Sequence, residues 1–193
     1  MKNLISELRI ALIATVSLAV ILCGIYPVAV WIITQGLFPD KANGSLIVQK
    51  GKVVGSSLIA QRFTGPKYFH TRPSSAGRGY DAANSGGSNL GPISKKLIDT
   101  VGQRIAEYRK KNGLTPDTLV PADAVTASGG GLDPHISLPN ALLQAPRIAK
   151  ARGLSQEAVR GKIEIYTEGR DFGIFGERRV NVLRLNLALD AIR

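Results

Sequence analysis

The sequence predicts an α+β domain tethered by one N-terminal transmembrane helix, and three observations predict it. First, no charged side chain lies between Arg9 and Asp40, and residues 10–33, IALIATVSLAVILCGIYPVAVWII, are mostly apolar, long enough for a bilayer-spanning helix of about 20 residues. Second, the chain beyond them mixes strand-like and helix-like patterns without the regular βαβ rhythm of a doubly wound sheet. Third, the one cysteine in 193 residues rules out an internal disulfide framework, so the outer domain must rest on its own core. The predicted organisation is a tail over 1–9, a membrane helix over 10–33 and an α+β domain over 40–193.

The apolar run exceeds the 7–15-residue core, roughly, of a cleaved signal peptide. A lipoprotein signal ending at Cys23 fits no better, because Leu22 stands where a small residue is usual and the apolar run continues past it. In the tail, Lys2, Arg9 and the terminal amine outweigh Glu7, so the positive-inside bias predicts a cytoplasmic N-terminus and an outer domain beyond the membrane. Ala11, Thr15, Ala19 and Cys23 recur at four-residue steps, a small-residue stripe that lets another membrane helix approach closely. Trp31 reads as an interfacial ring near the outer end, and Pro27 as a kink late in the span.

Beyond the span, residues 45–49 and 52–59 read as two strands turning at Lys50-Gly51. Residues 64–92, TGPKYFHTRPSSAGRGYDAANSGGSNLGP, are too long for an ordinary connection, and Tyr68, Phe69 and Tyr80 predict an ordered loop. Leu97, Ile98, Val101, Ile105 and Tyr108 then repeat at helical spacing, with Pro92 in the first turn and Asn112-Gly113 at the end. A second glycine-rich turn, ASGGGLD, precedes a helix ending near Gly153 that Pro146 should break or kink. Ser155 is placed to cap a further short helix. The last stretch, RRVNVLRLNLALDAIR, begins with strand alternation at Val180 and Val182 and ends with a helix-compatible spacing of Leu185, Leu189 and Ile192, so both types stay open.

The formal charge of +11 suits anionic headgroups or acidic partner surfaces beside a membrane. The cations are scattered and not interleaved with aromatics in one stripe, which excludes an ordinary nucleic-acid face. His70 and His135 are the two histidines, and no Cys/His spacing of a structural zinc site accompanies them. The loop SGGSN, Ser85, Gly86, Gly87, Ser88 and Asn89, precedes a helix and has the composition of a phosphate cradle. It lacks the GxxxxGK[ST] string that supplies lysine and hydroxyl to phosphate and magnesium. A hydrolase would need a serine with His70 or His135 as base and Asp81 or Asp133 to orient it, yet no GxSxG elbow is present. Arg72 and the other loop arginines can make bidentate pairs with acidic surfaces. Two classes stay open on these residues: a membrane-anchored periplasmic hydrolase and a generic anchored binding domain.

In order along the chain, GSSLIAQRF, YFHTRPSSAGRGYDAANSGGSNLGP, VTASGGGLDPHIS, QAPRIAKARGL and FGERRVNVLRLNLALD resemble the C subunits of bacterial Kdp high-affinity potassium-transporting ATPases. The likeness runs from the span to the C-terminus. It departs from the usual family pattern at Ser75 (Ala), Ile93-Ser94 (Thr-Asn), Gly130 (Ser) and Arg178 (Pro), none of which removes a candidate ionisable group.

The resemblance implies a single-pass inner-membrane subunit, periplasmic beyond its helix, assembled with a potassium-conducting A subunit, an ATP-hydrolysing B subunit and a small F subunit. It implies no catalytic residue, metal or cofactor of its own, in keeping with the absence of the DKTG string of a P-type catalytic chain. ATP acts in the complex, and direct contact with this chain is not expected. The expected role is assembly and indirect promotion of ATP binding by the catalytic subunit. The loop 85–89 is then a partner- or nucleotide-related candidate, and Arg72, Asp81, Asp133 and His135 are interface candidates.

Overall fold

A computed structural model describes residues 2–192, which divide into a unit ending at Leu46 and one beginning at Ile47. The first is helical: α1 (Lys2–Ala19) runs through a π-helical segment (Val20–Ile25) into α2 (Tyr26–Leu37), and a short α3 (Pro39–Ala42) follows the break at Phe38. Residues Leu4–Leu37 form a helix of 34 residues whose most apolar 18-residue stretch has mean hydropathy 2.4, with none of that stretch buried by the rest of the chain. At about 1.5 Å per residue it spans about 50 Å, more than a hydrocarbon core of about 30 Å.

The π segment is the structural response to Pro27. A proline ring clashes with the carbonyl four residues earlier and offers no N–H. One wider turn absorbs the misfit, with the Tyr26 N–H bonded to the Ile21 carbonyl, five residues back. The helix therefore continues, and the proline sits in the first turn of α2.

In the second unit, β1 (Leu46–Gln49) and β2 (Lys52–Ser56) pair as a hairpin. Lys50 and Gly51 both take positive φ, 49° and 74°, the geometry of a type I′ turn that matches strand twist. The domain's other sheet has the order β3-β5-β4, with β3 (His135–Ser137), β4 (Thr167–Glu168) and β5 (Arg179–Asn181) antiparallel, Ile136 opposite Val180 and Glu168 opposite Arg179. Around it stand α4 (Lys95–Asn112), α5 (Ala122–Val125), α6 (Leu138–Arg152), α7 (Gln156–Ile165) and α8 (Val182–Asp190). Phe69, Ile136, Ile148, Ile163, Val180, Leu185 and Leu189 form the core.

Local chemistry sets the element ends. Ser155 caps α7 by accepting from the Ala158 N–H at 3.1 Å, as its position predicts. Gly113 and Gly153 close α4 and α6 in the left-handed region, φ 65° and 66°. The C-terminal stretch is both strand and helix: β5 hands over directly to α8, and Asn181 accepts from the Arg184 N–H at 3.1 Å. Two expectations are corrected, Pro92 in the first turn of α4 and a break of α6 at Pro146. Pro92 lies before α4, in a turn in which the Ser94 N–H reaches the Gly91 carbonyl at 3.0 Å, and Ser94 is the cap residue. Pro146 does not end α6, which runs on to Arg152; Leu142, whose carbonyl loses its usual donor, is exposed to water.

The long loop is ordered, as its aromatics predict, but by side chains and not by a strand partner. Phe69 is fully buried, a burial that stabilises by roughly 2–3 kcal/mol. Its N–H donates to Asn186 Oδ1 at 2.8 Å and its carbonyl accepts from Asn186 Nδ2 at 3.0 Å. The next residue repeats the pattern: the His70 N–H donates to Gln144 Oε1 at 2.8 Å, and its carbonyl accepts from Gln144 Nε2 at 3.2 Å. Arg147 adds bonds to the carbonyls of Pro66 and Tyr68, and Arg152 to that of Lys67.

Removing either amide leaves a backbone donor and acceptor without their partners, a loss of about 1–3 kcal/mol. Asn186→Ala and Gln144→Ala are each expected to lower the thermal unfolding midpoint of the full chain in mild detergent, followed by near-ultraviolet circular dichroism. A midpoint equal to that of the unaltered chain refutes the ladder.

Candidate functional site

The glycine-rich loop at 85–89 packs on the chain's own second glycine-rich turn. The Gly86 N–H donates to the Gly130 carbonyl at 3.1 Å, and Ser85 Oγ donates to the same oxygen at 3.0 Å. A Cβ on Gly87 would lie 2.8 Å from the Gly129 carbonyl oxygen, and one on Gly131 would lie 2.6 Å from that of Gly86, so side chains are excluded where the two backbones meet. Ser74 fastens the pair: its Oγ donates to the Gly131 carbonyl at 2.6 Å and accepts from the N–H groups of Ala76 and Tyr80. Ser88 and Asn89 face outward. Since α4 begins only at Lys95, the loop does not stand at the helix N-terminus that a phosphate cradle uses.

Three of the four interface candidates touch one another. Arg72 Nη1 meets Asp133 Oδ2 at 3.0 Å, His135 Nδ1 lies 3.5 Å from Asp133 Oδ1, and His135 Nε2 lies 3.4 Å from Glu168 Oε2. Arg179 then reaches Glu168 at 3.2 Å and Asp171 at 3.2 Å. Burial draws the Asp133 carboxyl upward, but hydrogen bonds from His135 and Arg72 outweigh it and hold the group below its ordinary value. This line of side-chain contacts ties the long loop to the sheet. Both ring nitrogens of His135 face carboxylates, so neither is turned to a serine hydroxyl as a nucleophile's base requires.

Asp81 stands outside that line. It accepts from Asn84 Nδ2 at 2.7 Å and from the Ala83 N–H at 3.0 Å, and the Asn84 bond leads in holding its carboxyl below the usual range. Among the described residues no group of three His, Cys, Asp or Glu side chains is placed to hold a metal ion. In the membrane unit Cys23 is a free thiol, and Ala19 and Cys23 line a shallow apolar groove beside the π segment with Val16, Gly24 and Val28.

A polar cleft of about 490 Å³ was not foreseen from the sequence; Arg62, His70, Thr71, Arg104, Glu107 and Lys111 line it. Arg104, Glu107 and Lys111 follow helical spacing on α4, which is the one signal of it in the sequence; the remaining walls come from the loop and α6. Its floor is a closed hydrogen-bond set in which Asn140 Oδ1 accepts from Tyr108 Oη at 2.8 Å and from Gln144 Nε2 at 2.9 Å. Burial, with Asp123 nearby, pushes the Tyr108 hydroxyl up, so it stays protonated. Arg104 also donates to the Val125 carbonyl at 3.0 Å. Three cations against one carboxylate give the cleft a preference for anionic groups.

His70 borders this cleft and is held neutral: burial first, then the charge of Arg147, lowers its pKa from 6.5 to about 4. The folded value lies below the unfolded one, so the unfolded chain binds more protons between them. The contribution of His70 to stability is fully present above about pH 6.5 and falls as pH drops toward about 4. In His70→Gln the unfolding midpoint is expected to lose part of its decline over that window. An unchanged pH profile refutes a neutral buried His70.

Comparison with known proteins matches this architecture over nearly its full length. The family described as K+-transporting ATPase, c chain (KdpC), matches residues 8–191. The potassium-transporting ATPase KdpC subunit of Mycobacterium tuberculosis (strain ATCC 25618 / H37Rv) is 54% identical over 191 residues, covering 99% of each chain. The subunit of the same name from Nitratidesulfovibrio vulgaris (strain DSM 19637 / Miyazaki F) is 50% identical over 192 residues, covering 98% of this chain and 96% of its own. A family match across both the apolar helix and the α+β domain leaves one reading: the chain belongs to the KdpC family of potassium-transporting ATPase subunits.

Proposed function

We propose that the chain is a non-catalytic assembly subunit of an ATP-driven potassium uptake complex of the inner membrane. It stabilises the complex and promotes ATP binding by the P-type catalytic subunit without touching the nucleotide. Its tail, residues 1–9, is cytoplasmic, residues 10–33 cross the membrane with Ala11, Thr15, Ala19 and Cys23 against another membrane helix, and residues 40–193 are periplasmic. The associated chains are the potassium-conducting A subunit, the ATP-hydrolysing B subunit and the small F subunit.

The observation that carries this reading is the mutual packing of the two glycine-rich turns. Ser85 and Gly86 spend their hydrogen bonds on Gly130, which favours a structural loop over a phosphate cradle. The carboxylates on both sides of His135 likewise favour a brace over a general base. An effect on ATP affinity is then conformational: the subunit binds one state of the catalytic chain better than another, and the coupling is reciprocal. A tenfold change in affinity needs a difference of only about 1.4 kcal/mol between those states.

Two measurements test this. An alkaline phosphatase fused after Arg193 is expected to be active; activity only of a cytoplasmic reporter at that position refutes the periplasmic placement. ATP hydrolysis by the complex is expected to need more ATP for half-saturation when this chain is omitted, while photoreactive ATP labels the catalytic subunit alone. Label on residues 85–89 refutes the indirect role.

A further inference from the structure

The polar cleft bordered by the long loop, α4 and α6 has no part in the assembly reading. Its volume of about 490 Å³ falls in the range of about 300–1,000 Å³ that small-molecule sites occupy. Among the described residues, Arg62, Arg104, Lys111 and Glu107 on its walls form no ion pair. Three cations against one carboxylate leave two positive charges there without a counter-charge. At the floor Asp123 accepts from Asn140 at 2.8 Å and Arg147 donates to Gln144 at 3.0 Å, one charge of each sign, which cancel. The neutral His70 adds none; after burial and Arg147, the charge of Lys111 also disfavours its proton, so the positive field reaches that wall.

The two arginines are held in place. Arg104 Nη1 donates to the Val125 carbonyl at 3.0 Å, which leaves Nε and Nη2 without a partner among the described residues. The Arg62 guanidinium lies 5.7 Å from the centre of the Tyr80 ring, within cation–π reach, and donates to the Arg78 carbonyl at 3.4 Å. Tyr80 in turn is fixed in the left-handed region, φ 61°, by an N–H bond to Ser74 Oγ and a hydroxyl bond to the Arg72 carbonyl, both 2.8 Å. A bulky side chain keeps that conformation only where its surroundings enforce it, and such strain clusters at ligand sites.

We propose that this cleft binds a polyol phosphate, with the phosphate on Arg62, Arg104 and Lys111 and a hydroxyl donating to Glu107. The charge selects the phosphate. A phosphate monoester carries about −1.5 to −2 at pH 7, where a carboxylate brings a single charge, and guanidinium forks match its oxygens. Glu107 selects the polyol: a ligand made only of acceptor oxygens would face this carboxylate with no donor, whereas hydroxyl groups satisfy it. Phe63 and Pro73 give the carbon skeleton an apolar wall. The same glycerophosphate chemistry exists free, as glycerol 3-phosphate, and in the headgroup of phosphatidylglycerol.

Equilibrium dialysis of the full chain in a neutral detergent tests the site, independently of the assembly reading. Glycerol 3-phosphate is expected to bind roughly tenfold or more tightly than sulfate, a dianion with no hydroxyl. Hydrogen exchange of the unaltered chain is expected to slow, on adding glycerol 3-phosphate, in peptides covering residues 62–73 and 104–111; this reading needs no variant. Arg62→Gln combined with Lys111→Gln is expected to weaken binding roughly tenfold or more, and Glu107→Gln to narrow the preference over sulfate. In nanodiscs, equal affinity for glycerol 3-phosphate in phosphatidylglycerol and in phosphatidylcholine assigns the free ligand, and a loss of roughly tenfold in phosphatidylglycerol assigns the headgroup. No bound glycerol 3-phosphate, equal affinity for sulfate, or protection confined to other peptides overturns the proposal.

Discussion

The α+β domain depends on two side-chain amides that take the place of a missing strand. Gln144 and Asn186 each meet one residue of the long loop through both its N–H and its carbonyl. Without them Phe69 could not be buried, because its backbone would enter the core carrying two unsatisfied polar groups. With Phe69 seated, His70 and Thr71 form one wall of the polar cleft, and the chain is delivered to Arg72 and Ser74, which fasten the glycine-rich turns. The α6 helix supplies Gln144, Arg147 and Arg152 to this task at three- to five-residue steps. One face of α6, with Asn186 of α8, therefore organises a loop that has no regular structure of its own.

The charged residues of the domain behave consistently with that plan. Arg72, Asp133, His135, Glu168 and Arg179 form a continuous line of polar contacts across loop, sheet and turn, with the His135 ring between two carboxylates. Singly, such partly exposed pairs contribute little. As a continuous line they restrain several segments that have few hydrogen bonds to share, since the strands of this sheet are only two or three residues long. The cleft, with three cations against one carboxylate, carries only part of the basic excess that the composition shows.

How much of this was legible follows from the range of each interaction. The apolar span, the Lys50-Gly51 hairpin, α4 and the Ser155 cap are set by neighbours within a few residues, and the sequence pattern suffices for them. The ambiguity of the last stretch was itself informative, because β5 and α8 are consecutive. Gln144 and Asn186 look like ordinary polar helix residues, and only their partners, 74 and 117 positions away, reveal what they hold. The cleft was hidden for the same reason. Pro92 misled by three residues because a turn and a helix start both welcome proline. SGGSN packs closely on Gly129–Gly131 of the same chain, a pairing that no local pattern contains.

The π segment changes how the membrane helix must be read from outside. One additional residue in a turn rotates everything after it by about 100° relative to an uninterrupted α-helix. The stripe of Ala11, Thr15 and Ala19 is thus not prolonged in a straight line by the residues four and eight places beyond Cys23. Ala19, Cys23, Gly24 and Ala29 nonetheless line one shallow groove, so the wide turn leaves small side chains before and after it open on a common side of the helix.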